Sequence, residues 1–485
     1  NLIRTYLSDR QNKSKGGNIM YCLQSRWKIE GRSLYYYGLR NKLFSNRVKI
    51  SKKQLAVLSA LPGELTLQAP AGTTTLAACY LSAGPARAAE LLMNTVGIAP
   101  DAYLAATADG FADFILPGLE FDEAGRCPMC RTAEKTQKLK SVLPLIDEIP
   151  RSEKSRFDIA LFYTGGKDSA FMLYYLAKVR GLRVLTLTWE IPFMSDSARA
   201  SIEGAKKAFP NVEFLSRTVK PDDLKKIYRK LLSLSGNTCA CPSLAYVLFY
   251  PDLVAERVPY FAAGNEPVQM LGLYYNHIAP KIAYSFAENK FLTALFNVGR
   301  VLTLHPPLKQ GQIQTLMTMK QLAYGDNPLK TLSGYKSELV SNVVEAIREV
   351  PELLPPLKRA IRASSRTGNV PAFIHLDLDK ICGGKYDWNR VKDILVRECG
   401  WVPPADGKKA LHTSCKIERC KDHSQFVRFY RCESKMLPFS ALEISLASRN
   451  CGRTKEEMLY ETEHLLGFSL EELPECALMR GWAES

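Results

Sequence analysis

Residues 158–180, DIALFYTGGKDSAFMLYYLAKVR, constrain the fold of this chain more than any other stretch. Asp158 to Tyr163 is an apolar run of strand length. Thr164-Gly165-Gly166-Lys167-Asp168-Ser169 follows without a gap, and Phe171, Leu173, Tyr174, Leu176 and Ala177 continue at helical spacing. A strand that passes through two glycines directly into a helix is a unit of an α/β sheet. The glycines let the backbone turn sharply and bring N–H groups close to an anion. The opening helix adds free N–H donors and the positive end of its dipole. Lys167 supplies a cation, Thr164 and Ser169 supply hydroxyls, and Asp168 can hold magnesium against phosphate oxygens. This equipment suits the pyrophosphate of ATP.

The residues that follow keep the rhythm. Strands are expected at 183–188, 213–218 and 260–263, with helices at 196–209, 221–233 and 242–258. Alternation of this kind implies a parallel sheet with right-handed crossovers and a ligand at the carboxyl ends of its strands. Upstream, residues 20–116 read as a small α+β module. It has short antiparallel strands over 21–48, a helix at 51–60 behind an N-cap serine, and further helices at 74–80 and 85–96, which together suit a winged-helix-like docking module. Residues 117–157 read as a connector. Residues 271–485 read as a mainly helical region that closes over the nucleotide and builds the acceptor site. Lys15-Gly16-Gly17 shortly before Met20 is what translation of a purine-rich ribosome-binding site would produce, so residues 1–19 read as translated leader.

The net charge of +16 is spread in short groups such as Lys206-Lys207 and Lys408-Lys409, which fits a solvated surface plus a nucleotide site. No apolar run reaches the roughly 18 residues of a membrane span, and no secretory signal is evident, so the expected location is the cytoplasm. Thirteen cysteines in such a protein point to metal or sulfur chemistry rather than a disulfide framework. Cys127-Pro128-Met129-Cys130 has the spacing of half a zinc site. Cys22, Cys79, Cys399, Cys451 and Cys476 stand alone and read as buried thiols.

The wording of the glycine turn resembles the SGGKDS PP-loop of N-type ATP pyrophosphatases, with Thr164 for the first serine. The resemblance implies an adenine nucleotide alpha hydrolase-like domain over residues 158–270 that cleaves ATP between its α and β phosphates. Pro117 to Arg126 followed by the Cys127–Cys130 pair resembles N-acetyl sugar amidotransferases. So do Leu187-Thr188-Trp189-Glu190-Ile191-Pro192-Phe193, Gly264-Asn265-Glu266, Ser440-Ala441-Leu442-Glu443 and residues 448–457. The likeness spans residues 117–270 and, more loosely, 380–470. It implies that Thr188, Trp189, Gly264, Asn265 and Glu266 line the nucleotide. Cys239-Ala240-Cys241, about 70 residues beyond the loop, departs from that family. Its position is similar to the paired cysteines of tRNA thiolation enzymes, although those are spaced CxxC. On that resemblance Cys239, Cys241 and a distant Cys415 are candidate ligands of an iron–sulfur cluster or carriers of a persulfide, with His412 and Cys420 as further ligand candidates.

The expectation is an enzyme that adenylates an amide or carbonyl oxygen, releases AMP and pyrophosphate, and installs sulfur to form a thioamide or thio-nucleoside. Lys167, Asp168, Cys239, Cys241 and Cys415 would carry the chemistry. Bacterial thioamide pathways use PP-loop enzymes of this look. Two other readings stay open. One is an ammonia-dependent sugar amidotransferase of surface polysaccharide synthesis. The other is a non-catalytic, nucleotide-gated binding protein. The partners implied are a sulfur or ammonia donor protein, an acceptor held on a carrier, a peptide or a tRNA, and a second copy in a homodimer.

Overall fold

The computed structural model describes residues 27–37, 47–49, 51–59, 149–237, 239–264, 269, 290–309, 311–325, 338–450 apart from 432, 435 and 437, and 452–485. Residues 1–19, the Cys127–Cys130 pair, Asn265, Glu266 and the helices expected at 74–80 and 85–96 lie outside the described residues. Of the N-terminal module, β1 (Trp27–Glu30), β2 (Ser33–Tyr36) and β3 (Arg47–Lys49) form an antiparallel sheet in that order, followed by helix Lys52–Ser59. Gly31, at φ +58, makes the tight turn between β1 and β2.

Five strands build the main sheet: β4 (Ile159–Phe162), β5 (Val184–Trp189), β6 (Glu213–Arg217), β7 (Tyr260–Ala263) and β8 (Ala372–Phe373). Their order is β6-β5-β4-β7-β8 and every pairing is parallel. The crossover from β4 to β5 runs through the loop helix, that from β5 to β6 through helix Asp196–Ala208, and that from β6 to β7 through helices Pro221–Ser235 and Ser243–Ala255. This is a doubly wound α/β sheet in which the chain leaves β4 first to one side and later to the other, so the switch point lies where the glycine turn begins. The fold class expected from the loop and the alternation is the one observed.

Helices cover both faces, which is why β4 and β5 are apolar at successive positions and fully buried. Side chains alternate between two cores. Ile159, Leu161 and Val184 join Phe171, Trp388 and Phe426 on one face, while Ala160, Phe162, Leu187 and Phe261 join Tyr250, Leu316 and Leu357 on the other. At the amino end of β4, Asp158 is wholly buried. It accepts from the backbone N–H of Ser152 at 2.7 Å and of Arg183 at 2.9 Å, and pairs with the Arg183 guanidinium at 2.6 Å and with Arg151 at 3.0 Å. Burial opposes its charge, yet these donors hold its carboxyl well below the usual carboxylate range. A charged residue in an apolar strand thus pins the chain ahead of the loop.

Two features differ from the expected layout. The region after residue 270 is mainly helical, as expected, but it also supplies β8. This strand pairs with β7 through Ala372 N–H to Pro259 O at 2.9 Å and Ile374 N–H to Phe261 O at 2.9 Å. Two residues are too few to show a period-2 pattern. The loop helix is also split, with α-helix at Lys167–Leu173 and a π-helical stretch at Tyr174–Val179. No helix among the described residues is long and apolar enough to cross a membrane.

Candidate active site

The glycine turn is held from three sides. Gly165 takes φ +73, and a Cβ there would overlap the Ala198 carbonyl oxygen at the start of helix Asp196–Ala208, so both conformation and space require glycine. Its own carbonyl accepts from Trp401 Nε1 at 3.1 Å. Gly166 precedes the helix and no side chain caps it, which leaves first-turn donors for an anion. Ser169 Oγ accepts from the Thr164 N–H at 3.3 Å and donates to Gly166 O at 3.1 Å. Gly264, at the carboxyl end of β7, comes so close that a Cβ would lie 2.7 Å from Ser169 N. Thr164, Gly165, Gly166, Ser169 and Gly264 therefore meet at the switch point.

The two residues expected on β5 have structural partners. Thr188 is buried and its hydroxyl donates to Tyr163 O at 2.8 Å, tying β5 to β4. Trp189 is buried in the core, and its indole Nε1 has no hydrogen-bond partner among the described residues. A buried donor left unmet costs about 1–3 kcal/mol, so an acceptor on a bound ligand would relieve it.

Lys167 departs from the expectation that it faces open phosphate. Its side chain is 3% exposed, ion-paired with Asp168, and lies 4.4 Å over the Trp388 ring and 4.9 Å over the Tyr386 ring. Tyr386 OH donates to Asp168 Oδ1 at 2.8 Å. The cause is the C-terminal region, which folds back over the loop helix and offers the ammonium two aromatic faces. Asp168 accepts from both Lys167 and Tyr386 through Oδ1, which leaves Oδ2 for a cation. Lys392 and Arg453 stand near enough to matter. Burial first, then the charges of Arg453 and Lys167, lower the pKa of Lys392. Lys392 thus lies within electrostatic reach of both Lys167 and Arg453, and Arg453 is itself paired with Glu457 and Glu461 at 3.3 and 3.5 Å.

The segment His412 to Lys416 crosses the same edge. Met194 and Cys415 form an antiparallel bridge, Lys416 N–H donates to Phe193 O at 2.7 Å, and Ser195 N–H donates to Ser414 O at 3.0 Å. Ser195 Oγ donates to Thr413 O at 2.7 Å, and a Cβ on Gly166 would stand 3.6 Å from Thr413 Oγ1. The loop after β5 thereby carries Cys415 to the carboxyl end of the sheet. Cys239 and Cys241 reach it from the turn between helix Pro221–Ser235, which ends at left-handed Gly236, and helix Ser243–Ala255.

These three thiols sense one another. The Cys239 thiol donates to the Cys241 carbonyl oxygen at 3.9 Å. Interaction with the Cys241 side chain, aided by the Lys421 ammonium, lowers the pKa of Cys239, and the same interaction, with the neighbouring Cys415 sulfur, pushes Cys241 well up. Burial pushes Cys415 up as well. Cys239 is therefore the sulfur poised to ionise. Among the described residues no three His, Cys, Asp or Glu side chains converge into a group able to hold a metal. The trio as it stands does not form a cluster cage.

The further ligand candidates take other partners. Cys420 is buried beside Cys476, close enough for each to shift the other's pKa. His412 sits at φ +48, 2.7 Å from Glu443 and 3.4 Å from Glu418, while Glu418 also pairs with Lys421. Burial lowers the imidazole pKa, but the two carboxylates outweigh it and raise it from 6.5 to about 9. His412 is thus an ion-pair partner of Glu443 and Glu418 in this network. Because the folded pKa lies above the unfolded one, this stabilisation is complete below pH 6.5 and disappears as pH rises to about 9. We expect His412→Gln to be less stable than the parent by on the order of 1–3 kcal/mol at pH 6.5, with the two converging above pH 9. Thermal melts across that range check this, and a constant gap would refute it.

Lys421 and the aromatic pair Tyr386 and Trp388 escaped sequence reasoning. The only local signal for Lys421 is its place next to Cys420; Tyr386 and Trp388 carry no motif.

Fold and site together define a doubly wound α/β protein with a PP-loop-like turn at its switch point. No protein-family model matches the chain, and no curated protein does. Among solved structures it is similar to the U34-tRNA thiolase NcsA from Methanococcus maripaludis with its 4Fe-4S cluster. The identity is 14%, over 50% of this chain and 80% of that one, with a TM-score of 0.20. A likeness at that score carries nothing about the site.

Proposed function

We propose that this chain is an ATP-dependent, AMP-forming enzyme that activates an amide or carbonyl oxygen and replaces it with sulfur delivered by Cys239. The observation that carries the reading is the meeting of Cys239, Cys241 and Cys415, from two distant segments, at the same carboxyl edge of the sheet as the glycine turn. In a doubly wound sheet this edge is where a ligand binds.

The acceptor oxygen attacks the α-phosphorus and pyrophosphate leaves. Backbone N–H groups of the turn, with the Lys167, Lys392 and Arg453 cations, offset the growing charge on the leaving group. Magnesium bound through Asp168 would add to that neutralisation. A donor persulfide passes its sulfane sulfur to the Cys239 thiolate. The terminal sulfur then adds to the adenylated carbon and AMP leaves. Cys241 attacks the Cys239 sulfur and frees the thiolated product. The resulting Cys239–Cys241 disulfide takes two electrons from an external dithiol before the next turn. The acceptor is carrier-, peptide- or tRNA-bound, and the N-terminal module with its antiparallel sheet is the segment proposed to dock it.

The test is acceptor-dependent turnover of ATP. AMP and pyrophosphate are expected in equal amounts. ADP and phosphate would mean that the turn is not a PP-loop in function. AMP formation supported by ammonia alone, with an amidated product, would favour nitrogen transfer.

A further inference from the structure

A second pair of thiols lies outside this chemistry. Cys420, on helix Glu418–Tyr430, and Cys476, on helix Pro474–Glu484, are buried in one core cluster close enough to shift each other's pKa, and both are free rather than disulfide-bonded. One residue before each, Arg419 and Glu475 form an ion pair at 2.8 Å across the same two helices. The ion pair thus fixes the two helices side by side at the level of the two thiols. Cys476 occupies the first turn of its helix, and its backbone N–H donates to Leu473 O at 2.9 Å. That is the end of a helix where a thiolate is favoured.

Cys476 also has access to solvent space. It lines a groove of about 380 Å³ together with Ser235, His423, Arg428, Arg431 and Arg480. Glu433 and Glu472 are the carboxylates there, and Glu472 is already paired with Arg480. The groove is therefore net cationic, and its volume is that of a small-molecule site. It adjoins a smaller cavity lined by Cys239, with Ser235, Ser424 and Arg428 common to both.

We propose that Cys476 and Cys420 form a redox-active dithiol that exchanges with a small anionic disulfide held in this groove. Cys476 is the attacking sulfur. Interaction with Cys420 lowers its pKa and raises that of Cys420, so the pair divides into a nucleophile and a resolving thiol. The Cys476 thiolate attacks one sulfur of the disulfide, breaks its S–S bond and expels one thiolate. Cys420 then attacks the Cys476 sulfur of the mixed disulfide and expels the second thiolate, which takes the Cys420 proton. The dithiol loses two electrons and the small disulfide gains them. The proposal stands whether or not Cys239 carries sulfur.

The experiment uses the full chain carrying Cys239→Ser and Cys241→Ser, so that the other thiol pair is silent. The protein is incubated with oxidised glutathione as the anionic probe or with cystamine as the cationic one, and then peptide-mapped without reduction. We expect a Cys420–Cys476 cross-link that forms about tenfold faster with the anionic probe at low salt. Cys420→Ser should trap glutathione on Cys476. Arg428→Glu with Arg431→Glu should remove the preference between probes. Unmodified Cys420 and Cys476 under both probes, in protein whose melting curve matches the parent, would overturn the proposal. Equal rates with the two probes, unaffected by the arginine changes, would overturn the anionic selectivity.

Discussion

Cys239→Ser is expected to form the acceptor adenylate and release AMP slowly by hydrolysis, yet give no thiolated product, a loss of at least about 10³-fold in sulfur transfer. A serine hydroxyl keeps the size of the side chain but cannot carry a sulfane sulfur. Cys239 bonds to Asn237 and Cys241 on its own turn and is not part of the glycine loop, so the adenylation step should proceed. Cys241→Ser should fail at a different stage. It removes the side-chain interaction that holds the Cys239 pKa down, so sulfur loading should need higher pH. It also removes the thiol that releases product, so acceptor should accumulate linked to Cys239 through a reducible bond. Mass spectrometry of the intact protein, with and without reductant, separates these two phenotypes. Full turnover by the Cys239→Ser, Cys241→Ser double variant would defeat sulfur transfer and leave nitrogen transfer in its place.

Much of this architecture is legible without coordinates, because its signals are local. The strand expected at 260–263 is the strand observed, and the helix expected at 196–209 is observed at Asp196–Ala208. A buried parallel sheet leaves unbroken apolar runs, and Ser195 caps its helix by accepting from the Ala198 N–H at 3.2 Å. The glycines of the turn were readable for the same reason, since close approach and φ +73 at Gly165 leave no other residue type. What stayed hidden depends on contacts between distant segments. Cys415 could be chosen as a third thiol by resemblance, but the Met194–Cys415 bridge that brings it to the edge has no sequence pattern. Cys476 read as a solitary buried thiol, because its partner Cys420 is defined only by the register of two helices, not by spacing. Lys167 was expected to meet phosphate, and the Trp388 and Tyr386 rings that enclose it have no sequence sign for the same reason.

That enclosure changes what Lys167 variants should do. Its ammonium is enclosed by Asp168, Trp388 and Tyr386, so Lys167→Ala removes packed methylenes and a cation over two rings as well as a charge. We expect Lys167→Ala to cost about 2–4 kcal/mol of stability and to melt several degrees lower. Lys167→Met keeps most of the buried stem and loses only the charge. Asp168 would not be stranded by it, since it retains the Tyr386 hydroxyl and some contact with water, so Lys167→Met should melt close to the parent. Both variants should lose AMP formation by about 10²–10³-fold if the cation offsets charge on departing pyrophosphate. Binding of ATP would draw the ammonium from Asp168 toward phosphate. The decisive comparison is therefore Lys167→Met, which separates charge from packing. Parent-like AMP formation in a well-folded Lys167→Met protein would show that the lysine is a structural post between two rings. A 10²-fold loss at an unchanged melting temperature would mean that the charge acts on the phosphates.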